Sequence, residues 1–498
     1  MKKTKTFITL FLVIFFSLTG CSKTTQTMKV EIQSALPKFV LRETSGIYLD
    51  ENGDLYTWGY DQRNSDQETV LLTSLGQGAK VEYNNTPTKI YSNVADIDFM
   101  GYAVSKAGEL LEWGTLLNGE KFVPQVKKEN IAKEYPILFL TQDGKLYSKP
   151  EKESIQLTTP YDETYTLVMT DVVDFWYGFG DYALKSDGSI WYFKINSITG
   201  EIMQKPEKVI EDVAKMSCGL TENSHQVFLK TDGTLWSMGN NEYGQCGNGE
   251  YGDFDNKTQD CVVTTPYKMA ENVIDIYTTP TVTFYLTGDN KLYACGLNSN
   301  DFMLTGGDGL MDADNAPSFA ATPVLVMDDI RQFYQYDAAM YVLKTDNTLW
   351  TWGYSGQGVL GNGEFLDAEV LDFNTLLKPL FSGEGIFSQP AQIMEGVEQL
   401  LAPTSGLHFL QKKDGSIWYW GNGSIYVDKD DDRDTKVSFG VRLETDDDYS
   451  PSGTYYQKFY IIPTPIEFTV DTFYQNALDA IASRGTDTSQ YQAAKYYN

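Results

Sequence analysis

The sequence predicts an all-β fold of repeated four-stranded blades, a β-propeller, and three observations carry that prediction. A strand–turn–strand unit recurs eight times along the 498 residues. Aromatic residues make up 14% of the chain beside 42 glycines, a balance that favours strands and turns over helices. Each unit also carries two further strand-like pieces, and four short strands per repeat make one blade of a radial antiparallel assembly. A single blade cannot bury both its faces, so blades must stack around an axis.

The clearest copy is HQVFLKTDGTLWSMG, His225–Gly239. Its Asp232-Gly233 pair predicts a two-residue type I′ turn. The other copies begin at Ser45, Gly101, Ile137, Asp181, Thr283, Met340 and Leu407, with turns spaced from about 36 to about 68 residues. Ala107-Gly108, Asp289-Asn290 and Asp346-Asn347 depart from Asp-Gly, but Gly and Asn both tolerate a left-handed backbone. Val227, Leu229, Leu235 and Met238 are the expected inter-blade core of this copy.

Ahead of the hairpins lie strand-like pieces such as Asn93–Phe99, Asp212–Cys218, Asn272–Thr278 and Gly396–Ala402. Further upstream are segments led by Pro87, Pro206, Pro266, Pro323 and Pro390. After the eighth hairpin another such strand starts at Pro463, with no hairpin behind it, whereas the first hairpin has no clear proline-led piece before it. The expectation is that this C-terminal strand completes the first blade and closes the ring. The propeller then spans 30–470. Asp471–Arg484 reads as a short helix capped by Asp471 and ended by Gly485, followed by a polar, frayed tail.

Lys2, Lys3 and Lys5 precede an apolar run, Phe7–Leu18, that is too short to span a bilayer, which takes about 20 residues. Residues 1–20 therefore read as a signal peptide. Leu18-Thr19-Gly20-Cys21 resembles a bacterial lipoprotein signal, which implies lipid attachment at Cys21, a tether over 21–29 and an extracytoplasmic, membrane-anchored protein of the cell envelope. The formal charge of −29 argues against sequence-independent nucleic-acid binding. Outside the cytoplasm a disulfide is permitted. One between Cys246 and Cys261 would close a compact insert, with free thiols as the alternative, while Cys295 sits where other copies place Trp and reads as a buried thiol.

Two stretches, WSMGNNEYGQCGNG at Trp236–Gly249 and WGYSGQGVLGNG at Trp352–Gly363, resemble the regulator of chromosome condensation repeat. Gly239, Asn241, Gly244, Gln245, Gly247 and Gly249 match that family's glycine run, with Cys246 in place of Leu. Trp58-Gly59, Trp113-Gly114, Trp352-Gly353 and Trp420-Gly421 carry its Trp-Gly pair, which Ser148-Lys149 and Phe193-Lys194 lack. The resemblance covers roughly 39–470. It implies a propeller, usually of seven blades, against the eight hairpins counted, so seven or eight blades are expected. It also implies that loops on one face bind proteins; fold alone licenses no more than that.

No catalytic constellation stands out, no cofactor is expected, and no catalysis is assigned. His225 and His408, the only two histidines, have no Cys or His at metal-ligand spacing. Asp428, Asp430, Asp432 and Asp434 alternate as calcium ligands do, but Arg433 and Phe439 replace the loop's glycine and glutamate, which favours a solvated charge run. The longest inserts, 60–86, 247–265, 297–322, 360–389 and 423–462, all fall between a hairpin and the next proline-led strand, so they are expected on one face. Many are acidic, and Tyr449, Tyr455, Tyr456 and Tyr460 offer amphipathic anchors there. The reading is a surface propeller that binds a protein partner through this acidic, insert-bearing face. The alternative is a glycan-binding or glycan-processing propeller.

Overall fold

The computed structural model describes residues 37–41, 45–60, 83–97, 103–115, 121–135, 137–149, 165–177, 180–219, 224–252, 261–298, 319–336, 339–354, 359–363, 386–404, 407–427, 436–438, 441–445, 456–466 and 491–493. They form eight antiparallel sheets whose strands follow one another in chain order, so the chain makes an eight-bladed propeller. Blade five is typical, with strands Val213–Cys218, His225–Lys230, Leu235–Asn240 and Val262–Ala270 running outward from the axis. Copy three, the shortest, is a full blade between Ile131 and Met169.

The hairpin turns differ from the expected type I′. Only Gly233 has a positive φ (78°), and its amide donates to the Lys230 carbonyl at 3.0 Å. The loop is therefore the three-residue kind that ends in a left-handed glycine. The following residue decides this. The Asp232 carboxylate accepts from the Thr234 amide (2.9 Å) and hydroxyl (2.7 Å), and that hydroxyl accepts from the Trp236 indole (3.0 Å). Lys230 caps the same indole, 5.2 Å from its centre. Blades four, seven and eight repeat the device with Asp187, Ser189 and Trp191, with Asp346, Thr348 and Trp350, and with Asp414, Ser416 and Trp418.

The C-terminal latch is not what closes the ring. Blade one takes all four strands from the N-terminal part of the chain: Lys38–Leu41, Ser45–Leu49, Leu55–Tyr60 and Tyr83–Tyr91. The strand holding Pro463, Tyr456–Ile466, pairs with Ile417–Ile425 as the fourth strand of blade eight. Each proline-led segment belongs to the hairpin before it, as the outermost strand. Prolines tolerate that edge because the ladder is interrupted there: Thr57 pairs with Thr88 and Gly59 with Asn84, which leaves Trp58 opposite Asn85–Pro87.

Blade boundaries fall at a sharp crossing from fourth strand to next first strand. Asn93, Asn130, Asp171, Asp212, Asn272 and Asp329 have φ between 57° and 65° there, and Gly396 has 71°. The amide after each crossing donates to the turn of the preceding blade: Val94 to Gly53 (2.9 Å), Val273 to Gly233 (2.9 Å), Val397 to Asn347 (3.0 Å). Burial then welds each gap between blades. Val227, Leu229 and Leu235 meet Val273, Ile276 and Tyr285 of blade six, as the sequence led one to expect, while half-buried Met238 packs towards blade four. Closure is of the same kind. Phe39 of blade one stacks on Phe409 of blade eight at 4.7 Å, and Trp58 joins the core of blades seven and eight.

Candidate interaction face

The blade path sorts the connections. Hairpin turns and blade crossings lie on one face, while first-to-second and third-to-fourth strand connections lie on the other. All five long inserts are third-to-fourth connections, so their roots share that second face. Among the described residues, no group of three metal-ligating side chains occurs and no helix is long and apolar enough to cross a membrane. Cys21, Asp428, Asp430, Asp432, Asp434, Tyr449 and Tyr455, and the helix expected at Asp471–Arg484, lie outside the described residues.

Blade eight carries strands beyond its four on the insert side. Its third strand, Ile417–Val427, continues past Gly421 and pairs there with both Tyr456–Tyr460 and Lys436–Ser438. Tyr456 lies opposite Ile425 and Tyr460 opposite Gly421, so both are on this extension. Val441–Thr445 continues it beside blade one and pairs with Tyr491–Ala493, so part of the tail expected to fray is a strand.

The glycine-rich segment after blade five's third strand folds as a clasp over blade six. Gly249 donates to the Ala321 carbonyl (2.9 Å), and Gly244 lies so close to Ala321 that a Cβ would meet its Cα at 2.4 Å. Asn241 holds the loop, accepting from the Cys246 amide (2.8 Å) and donating to the Glu250 carbonyl (2.8 Å). The Gln245 carbonyl accepts from Thr283 Oγ1 (2.8 Å), whose oxygen accepts from His225 Nε2 (2.6 Å), and from Cys295 Sγ (3.4 Å). Blade seven repeats the relay. The Val359 carbonyl accepts from Trp420 Nε1 (2.7 Å) and from the Tyr341 hydroxyl (2.7 Å), which His408 Nε2 approaches at 3.1 Å. Both histidines are fully buried and brace these clasps, and burial lowers their pKa to about 4 for His225 and about 3 for His408. They are neutral hydrogen-bonding parts of the scaffold.

Cys246 and Cys261 are free thiols; Asn241 Nδ2 lies 3.7 Å from Cys261 Sγ, while Cys246 Sγ lies 3.5 Å from the Asn240 carbonyl. Burial pushes the Cys246 thiol up to about 12, and Cys295 is buried and free as expected.

Residues 232–276 match the regulator of chromosome condensation (RCC1) repeat. The chain is RCC1-like in that stretch, which runs from the blade-five turn through the clasp to the first strand of blade six. No curated relative matches the sequence. Among solved structures, Prp20p from Saccharomyces cerevisiae is 16% identical over 74% of this chain and 79% of its own, with a TM-score of 0.41. Human WBSCR16 is 19% identical over 52% and 64%, with a TM-score of 0.35. The computationally designed protein Ika8 is 9% identical over 79% and 99%, with a TM-score of 0.39. The architecture rests on the chain's own strand pairing rather than on these likenesses.

Two features of the central channel were missed by sequence reading. The third residue from the crossing in each first strand is Asp96, Lys133, Asp174, Lys215, Asp275, Gln332 and Gln399 for blades two to eight, and Lys38 stands in blade one. Charge therefore alternates over blades one to six, and two neutral glutamines complete the ring. Lys38 pairs with Asp96 (2.9 Å), Lys133 with Asp174 (2.7 Å) and Lys215 with Asp275, and Gln332 exchanges two hydrogen bonds with the Leu400 backbone. Lys133 gives copy three a place in this ring. The signal lay in the sequence at one residue per repeat, but only the correct blade frame aligns it.

The second feature is a cavity of about 170 Å³ where the first strands of blades three, four and five end at the insert face. It is lined by Lys133, Tyr135, Phe175, Trp176, Tyr177, Met216, Ser217 and Cys218.

Proposed function

We propose that this protein is a lipid-anchored, extracytoplasmic propeller that binds a protein partner through its insert-bearing face. The observation that carries the reading is the common root of the long inserts: a rigid ring presents them side by side, as propeller binding faces do. A net charge of −29 and acidic inserts favour a basic partner surface. Attachment at Cys21 would hold the ring at a membrane surface with two acyl chains.

The test is capture from the native envelope with the solubilised full chain as bait. A basic protein retained at low salt and released by salt is the expected result; polysaccharide alone, unaffected by protease, would sink the reading. For the anchor, Cys21→Ala should move the protein from the membrane to the soluble fraction, and unchanged partitioning counts against lipidation.

A further inference from the structure

The first strands run from the turn face to the insert face, so the cavity between blades three, four and five opens towards the inserts. Blade four supplies Phe175, Trp176 and Tyr177, and its connection on this face is a described turn at 196–201, far shorter than the inserts of blades five to eight and one. The mouth thus lies beside the short third-to-fourth connection of blade four.

Its chemistry is selective. Phe175 and Met216 are buried at its base, and Tyr135, Trp176 and Tyr177 stand half-buried around it. Two of the polar side chains are already engaged. Lys133 Nζ donates to Asp174 Oδ1 (2.7 Å) and to the Phe175 carbonyl (2.8 Å), and Ser217 Oγ shares a hydrogen bond with Thr278 Oγ1 (2.8 Å). Burial pushes the Cys218 thiol up to about 11, so it stays neutral. The Lys133 ammonium lies 4.8 Å from the Phe175 ring centre and 5.8 Å from that of Trp176, and among the described residues no carboxylate lines the cavity. An incoming Arg or Lys would meet the Lys133 ammonium, whose counter-ion Asp174 is already taken up by that pair. A sugar would find the Lys133 ammonium and the Ser217 hydroxyl already hydrogen-bonded. Cavities that hold a drug-sized ligand start at about 300 Å³; 170 Å³ suits one large side chain.

We infer that this cavity is an anchor socket for a single aromatic side chain of the protein partner. Buried aromatic anchors that fill a pocket near the centre of a patch dominate protein–protein affinity. The inference rests on the protein-binding reading above and names the chemistry of one of its contacts.

N-acetyl-L-phenylalaninamide, N-acetyl-L-argininamide and glucose, each titrated against the full chain, test it through the fluorescence difference between wild type and Trp176→Phe. A saturable response to the phenylalanine amide alone is expected, and it should be lost in Cys218→Phe, which fills the socket from its wall. No saturable response, or an equal one to the argininamide or glucose, overturns the inference. The captured partner is then compared on wild type, Trp176→Ala and Cys218→Phe, with unfolding midpoints measured alongside. Both variants should retain it at least tenfold more weakly. Wild-type retention by a folded Cys218→Phe sinks the socket and leaves the partner reading intact. Capture of no protein by a wild type that still binds the phenylalanine amide sinks the partner reading instead.

Discussion

Reversing one charge of the channel ring probes the fold at the point where the blades meet. Lys133 lies 2.7 Å from Asp174, with the two side chains 40% and 39% exposed, so the pair itself contributes only about 0.5–1 kcal/mol. Lys133→Glu does more than remove it. The new carboxylate would face Asp174 and flank Asp96, three like charges in successive blades, and the Phe175 carbonyl would lose its donor. Repulsion at about 4–5 Å in a half-solvated channel adds about 1–2 kcal/mol, and the lost hydrogen bond about 1 kcal/mol. The expected destabilisation is about 3 kcal/mol, against about 1 kcal/mol for Lys133→Gln. Urea unfolding of the single variants and of Lys133→Glu combined with Asp174→Lys measures the coupling. The combined variant should recover at least about 1 kcal/mol, and the repulsive part should shrink in 1 M salt, where screening reaches about 3 Å. If Lys133→Glu costs no more than Lys133→Gln, the ring is solvent-screened and contributes nothing to how the blades associate.

Three further outcomes are expected. Thr283→Val would leave the Gln245 carbonyl and His225 Nε2 without their shared hydroxyl inside the clasp, lowering stability by about 2–4 kcal/mol, while Thr283→Ser keeps most of it; equal losses in urea unfolding would argue against the relay. His225 and His408 have pKa values depressed to about 4 and about 3, so below the usual 6.5 the unfolded chain takes up their protons first and stability falls with pH. Between pH 7 and pH 5 each should contribute about 2 kcal/mol of that loss, and a His408→Gln variant should show a shallower pH slope than wild type. Asp329, at φ 61°, should accept Gly with little change, whereas Asp329→Val should cost about 1–3 kcal/mol in thermal or urea unfolding because a β-branched side chain resists that conformation.

Much of the scaffold was legible one repeat at a time. Hairpins at Asp232-Gly233 and Asp414-Gly415, the buried Trp58 and Trp420, and the inter-blade residues Val227 and Leu235 all follow from alternation and turn chemistry within about fifteen residues. The turn type was misjudged because the Asp232–Thr234–Trp236 relay, a side-chain arrangement, selects a three-residue loop. The interaction face was legible only as a position in the repeat. Its cavity was not, because Tyr135, Trp176 and Cys218 come from three different blades.

The sequence by itself determined the blade unit and the common side of its inserts, since these depend on local strand periodicity and on where Gly, Asn and Asp allow the chain to turn, but it left seven or eight blades open, and the strand pairing gives eight. Tertiary structure decided the frame. It assigned each proline-led strand to the hairpin before it, set Tyr456–Ile466 as the edge of blade eight and closed the ring through Phe39 against Phe409. It also aligned Lys38, Asp96, Lys133 and Asp174 into alternating neighbours. Those outcomes depend on which surfaces pack across the blade gaps and around the ring, and that pairing is settled by burial between distant segments rather than by any preference the segments carry alone.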